Sequence, residues 1–174
     1  MSARHRNMLP IVSACPFWRL EYGCMQDWKA KCHPDILKML TYWESKRNGR
    51  TMPPRSDIDP AEMVGLLPNV MIVDVVDDER RFVYRLVGTG EVQLRGHDPT
   101  GKSVRDGYFA ATPEAAEFRY VTVCDTRAPY YDEDNFQVLD RYVSEANLFL
   151  PLSDDDRTVN KILVFSINRD LYRQ

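Results

Sequence analysis

The chain has 174 residues, 44% hydrophobic and 28% charged, which suits one globular domain with an added arm and requires no second domain. A balance of 23 basic against 26 acidic side chains gives a formal net charge of −3, so no global field draws it to nucleic acid or an anionic membrane. Its 4 cysteines, Cys15, Cys24, Cys32 and Cys124, do not make a disulfide framework, and no apolar stretch near the N-terminus approaches the roughly 20 residues of a spanning helix.

Residues 1–31 scatter Trp18, Tyr22 and Trp28 among Arg, Glu, Lys and Cys without a clean period, and read as an arm that is either disordered or, as its aromatic content favours, docked on a neighbouring surface. Residues 32–174 read as the domain proper. Arg4 and Arg6 precede a short apolar run, and Val12-Ser13-Ala14-Cys15 resembles a bacterial lipoprotein cleavage box. That run contains Pro10 and is too short for an export signal, so the expected location is the cytoplasm.

A helix starts at His33-Pro34-Asp35, with proline at the first helical position and an acid at the positive end of the dipole. Ile36, Leu37, Met39, Leu40 and Trp43 form its broad apolar face, and basic residues followed by Gly49 stop it near residue 48. Met52-Pro53-Pro54-Arg55 must be extended. A second, short helix opens at Asp59-Pro60-Ala61-Glu62, whose spacing suits a capping box, and ends before Pro68.

From Asn69 the period becomes strand-like. Val70 to Val76 is rich in branched residues, Asp77-Asp78-Glu79 turns the chain, and Arg81 to Val87 alternates Phe82, Tyr84 and Leu86 against Val83, Arg85 and Val87. Strict alternation places Phe82, Tyr84 and Leu86 on one face. Glu91 to Arg95 reads as a helical turn closed by Gly96, and Asp98-Pro99-Thr100-Gly101 carries type I turn chemistry. Thr112-Pro113-Glu114 opens a third helix to about Asp125, and a strand surrounds Tyr130 and Tyr131. A last hairpin pairs residues 141–152 with 159–168 across Ser153-Asp154-Asp155-Asp156-Arg157. The order predicts an α+β fold, one antiparallel sheet with helices gathered on one face and an N-terminal helix.

Several short matches occur in order: Tyr42-Trp43, Asp57-Ile58-Asp59-Pro60, Leu66-Leu67-Pro68, Tyr84-Arg85-Leu86-Val87-Gly88-Thr89, Gly96 with Asp98 and Thr100-Gly101, and Leu150-Pro151-Leu152-Ser153. Together, across residues 37–168, they resemble the stand-alone bacterial PAS-like family. The resemblance implies a five-stranded sheet whose helices enclose a small cavity, used in that superfamily to hold ligands or to mediate pairing. It implies no particular chemistry and no named cofactor.

His5, His33 and His97 are isolated, and Cys24, Cys32 and His33 fit no zinc-finger spacing, so no metal site is expected. Haem would need an axial ligand on the helix lining the cavity, which offers Tyr120 and Cys124 but no histidine. The Cys15-Pro16 pair is too short to specify haem, and the cysteine motif of flavin photochemistry is absent. No catalytic motif occurs, so a non-enzyme is expected. Asp132-Glu133-Asp134 and Asp154-Asp155-Asp156 read as solvated turn acids, and Arg85 as a strand residue facing solvent or Asp74.

Two functions remain. One is a sensor whose cavity, lined by Tyr84, Leu86, Phe109, Phe118 and Tyr120, takes a small apolar or aromatic molecule, so that shrinking Tyr84 weakens binding while the fold survives. The other is a ligand-free interaction module. In either case output passes to an unidentified signalling protein, and neither nucleic acid nor membrane is an expected partner. The wide apolar arc of the first helix predicts a homodimer with Ile36, Leu40 and Trp43 at its interface.

Overall fold

A computed structural model of the chain describes residues 28–138 and 141–168. The lipoprotein-like box, Cys24, Trp18 and Tyr22 lie outside the described residues. Residues from Cys32 onward form one compact unit, and Trp28–Ala30, a single 3-10 turn, belongs to the unit before it.

Helix α1 spans Pro34–Ser45. Pro34 occupies the first turn as expected, while the cap is His33, whose Nδ1 accepts from the Asp35 amide at 3.2 Å. The helix ends before the basic residues, and Asn48 and Gly49 take positive φ beyond it. A 3-10 segment, Pro60–Asn69, follows. Prolines at both ends and a kink at Met63 keep it from settling into a regular α-helix. Asp59 caps Ala61 as predicted, but Glu62 does not close a capping box. The Asp59 amide that it would reach donates instead to Tyr42 Oη at 2.8 Å, and Glu62 pairs with Lys46 on α1 at 2.5 Å. The segment is thereby clamped to α1.

The sheet has five strands: β1 (Val70–Val75), β2 (Phe82–Val87), β3 (Tyr130–Val138), β4 (Arg141–Leu152) and β5 (Lys161–Asn168). They lie in the order β2-β1-β5-β4-β3, antiparallel throughout. Both expected hairpins form, and β1 beside β5 joins them into one sheet. Two α-helices follow β2: α2 (Thr89–Arg95) and α3 (Pro113–Thr126), the latter capped by Thr112 Oγ1 on the Ala115 amide. Residues 101–104 run along the free edge of β2, where Gly101 and Val104 donate to the Tyr84 and Phe82 carbonyls. This occupies hydrogen-bonding groups that an open edge would offer to another chain.

The sheet is covered on both sides, which explains the buried, continuous apolar run of β5. On the inner side α3 sets Tyr120 against Phe82 and Phe149, with ring centroids 5.4 and 5.2 Å apart. On the outer side α1 lies over β4 and β5, and the 3-10 segment lies over β1 and β5. Ile36, Leu40 and Trp43, expected at a dimer interface, are buried by their own chain, and Trp43 Nε1 donates to the Pro151 carbonyl at 2.9 Å. The outer sheet face needed both apolar lines of α1, so these three residues present no surface to a second copy.

Candidate functional site

One break in register decides which residues share a site. β1 and β2 pair Ile72 with Leu86 but Val73 with Tyr84, so Arg85 is the extra residue of a β-bulge. Ile72 and Val73 face opposite sides of the sheet, and so must their partners. Tyr84 points inward and is buried, whereas Leu86 points outward and is 47% exposed. Arg85 faces solvent, and Asp74 pairs with Lys161 at 2.5 Å instead.

The five residues expected to line one cavity are therefore divided. Tyr84, Phe109 and Tyr120 meet around an inner space of about 20 Å³. Leu86 lines a separate groove on the outer face. Phe118 is 55% exposed on the solvent face of α3, because the helical period that buries Ala116, Tyr120 and Val123 carries it away from the sheet.

The inner space is polar. From β4 come Glu145 and Asn147, from α2 Arg95, and from α3 Arg119, with Glu91 buried behind Arg95 on α2. Arg95 lies over the rings of Tyr84 and Phe109, 5.2 and 4.9 Å from their centroids, and donates to the Gly107 carbonyl at 3.2 Å. It also pairs with Glu91 at 3.6 Å. Arg119 pairs with Asp132 at 2.7 Å and with Asp134. Those two acids are not solvated turn residues. They stand at alternate positions on β3, on the inner face, while Glu133 faces away and accepts from Tyr131 Oη. Burial pushes the Asp132 carboxyl up and Arg119 opposes it. The Asp154-Asp155-Asp156 run is a turn, as expected, although each acid has fixed partners in the chain.

About 20 Å³ holds a single water molecule. An aromatic molecule, a haem or a flavin does not fit the inner space in this conformation. Cys124 does not line it, and burial raises that thiol to about 11, so it stays protonated near neutral pH.

The outer groove is larger, about 410 Å³, and lies between the 3-10 segment and strands β1 and β2. Met63, Val64 and Leu67 form one wall, Ile72 and Leu163 the floor, and Leu86 the other wall. Val64 is 66% exposed at the rim. Gly88 sets the closed end, because a Cβ there would overlap the carbonyl oxygens of Leu67 and Pro68. This close approach lets β2 pass into α2 beside the 3-10 segment, so Thr89 on α2 also borders the groove.

A family model described as PAS domain matches residues 31–165. No curated protein matches the chain. Among solved structures, the PAS domain of BvgS from Bordetella pertussis is similar at 15% identity over 67% of this chain and 93% of that one, with a TM-score of 0.47. The LOV domain of a blue-light-activated histidine kinase from Erythrobacter litoralis is similar at 16% identity over 57% of this chain and 93% of that one, TM-score 0.45. The PAS domain of the fruit-fly ELK potassium channel is similar at 14% identity over 62% of this chain and 91% of that one, TM-score 0.47. With the family model spanning well over half of its length, the chain belongs to the PAS-domain family.

Proposed function

We propose that this PAS domain is a sensory and signalling module that binds a small apolar or aromatic molecule in its outer groove and passes the signal on through protein contacts. PAS domains are generally sensory or signalling modules. The observation that carries the finer reading is the groove itself. Its volume of about 410 Å³ falls within the usual range for small-molecule sites, its walls are aliphatic, and the polar groups at its border are few. The inner space lacks the room for such a ligand.

Residues 32–174 form the sensing domain in this reading, with residues 1–31 as an arm, and no catalytic step is assigned. The exposure of Val64 and Leu86 at the rim also favours a second reading, in which an apolar side chain of a signalling partner fills the groove of an interaction module. A homodimer would have to use a surface other than the buried face of α1.

Fluorescence titration of the full chain with anilinonaphthalene sulfonate tests the groove. Saturable binding that weakens at least about tenfold in L86E and V64E is expected, since each change sets a charge against an aliphatic wall. Equal affinity in wild type and both variants would remove the groove from the site. Absence of saturable binding, with no molecule retained in native mass spectrometry, would leave the interaction module as the function.

A further inference from the structure

The inner space raises a separate question. Strand β4 lines up Val143, Glu145, Asn147 and Phe149 on one face of the sheet, so a carboxylate is carried into an apolar layer. Glu145 is 3% exposed, and its Oε1 accepts no hydrogen bond among the described residues. Asn147 Nδ2 and Arg95 Nε at the same space, and Glu91 Oε2 beside Arg95, also lack a hydrogen bond among the described residues. These unsatisfied atoms point to a group whose protonation has yet to be accounted for.

The charges nearby are already engaged. Arg119 on α3 is held by Asp132 and Asp134 on β3, and Asp134 is the cross-strand neighbour of Glu145. Arg95 on α2 is held by Glu91 and the Gly107 carbonyl, and is wedged over two rings. The remaining polar neighbours, Asn147 two residues along β4, Tyr84 on β2, Tyr120 on α3 and Asn168 opposite Glu145 on β5, bring no cation. Four carboxyls, Glu91, Asp132, Asp134 and Glu145, thus share two guanidiniums, and Glu145 alone forms no ion pair with either. Ionisation of both Glu91 and Glu145, the two fully buried members, would set two enclosed negative charges against Arg95, which is costly to bury.

We propose that Glu145 is a proton-binding site, neutral when the inner layer is closed, and that its ionisation loosens the hold of α2 and α3 on the sheet. The proton is the ligand the space admits, together with no more than about one water. Burial, and then Glu91 beside it, push the Glu145 carboxyl up to about 8, while Arg95 and Arg119 oppose the shift without cancelling it. An ionised Glu145 competes for those same guanidiniums. It can satisfy its charge by drawing Arg95 from Glu91, which disturbs α2, or Arg119 from Asp132 and Asp134, which disturbs the contact of α3 with β3. Because α2 also borders the outer groove through Thr89, the proton can bias that groove.

A raised carboxyl stabilises the fold fully below its ordinary value of 4.5, and the contribution is lost as pH rises towards 8. The test follows the side-chain carboxyl carbons of the full chain by NMR, with thermal midpoints recorded across the same pH range. A Glu carboxyl is expected to titrate near 8, to vanish in E145Q and to move to lower pH in E91Q, where the neighbouring carboxyl, itself raised by burial, is gone. Gln imitates a protonated Glu, so E145Q should fold and its midpoint should stay level where that of the wild type falls. If E145Q fails to fold, the E91Q shift decides. Titration of every Glu in the ordinary carboxylate range, an E145Q whose midpoint still falls, or an E91Q that leaves the high titration unmoved would each overturn the proposal.

Discussion

Tyr84 and Leu86 stand two residues apart on β2 and face opposite sides of the sheet, because the bulge at Arg85 inserts one unpaired residue between them. Tyr84 is thereby committed to the inner layer and Leu86 to the outer groove. Their truncations should behave oppositely. Tyr84→Ala removes a buried ring and should cost about 3–5 kcal/mol in urea unfolding, so it cannot serve as a mild probe of ligand binding. Leu86→Ala, at a half-exposed site, should cost about 1 kcal/mol or less. The reverse ranking would mean that the bulge lies elsewhere.

Arg119 is the cation on which the inner face of β3 depends. Arg119→Met keeps much of the side-chain volume but leaves Asp132 and Asp134 facing each other without a counter-charge. Breaking a fully buried pair typically costs about 3–5 kcal/mol, and because both acids are part-exposed the loss here should fall below that range. The loss should shrink on acidification, when the acids become neutral, and chemical denaturation at several pH values would show it. A loss that stays constant down to acid pH would mean that Arg119 acts by packing alone.

Trp43→Ala should cost about 3–5 kcal/mol through lost packing, with the Pro151 carbonyl left unbonded. Because the indole is buried within the chain, light scattering should give the variant the same mass as wild type. A drop in mass with unchanged stability would restore Trp43 to an interface between copies.

The turn between β4 and β5 carries an acid-range signature. Asp155 accepts from the Thr158 and Arg157 amides and from Ser153 Oγ, which hold its carboxyl well below its ordinary value of 3.8. A depressed carboxyl stabilises the fold above that value, and the contribution fades as pH falls below it. Asp155→Ala should flatten this part of the pH–stability curve, and thermal scans of the two proteins at descending acid pH would reveal whether it does.

The hairpins were legible because branched residues and acidic turns mark them locally, as Val70 to Val75 and Ser153 to Arg157 show. The α1 start was legible in Pro34, although the cap proved to be His33. The bulge was not. Phe82, Tyr84 and Leu86 alternate without a flaw, and only pairing with β1 reveals the slip. Asp132 and Asp134 were misread as turn acids because three acids in a row suggest solvent, whereas their alternation on a strand exposes only the middle one to the other side. Glu145 and Asn147 did leave a signal, two polar residues on the same parity as Val143 and Phe149 in an apolar strand. Their neighbours Arg95 and Arg119 come from helices remote in sequence, so the cluster could not be assembled from spacing alone.

On the proposed function the outer groove, rather than the inner space, is where this PAS domain binds its ligand. Methyl NMR of the full chain titrated with anilinonaphthalene sulfonate tests it most directly, since each site has its own reporters. Progressive shifts at Val64, Leu67, Ile72, Leu86 and Leu163, with Ala116 and Val164 of the inner space unmoved, are the predicted result. Shifts confined to Ala116, Val164 and Met71 would contradict the account and return binding to the inner space.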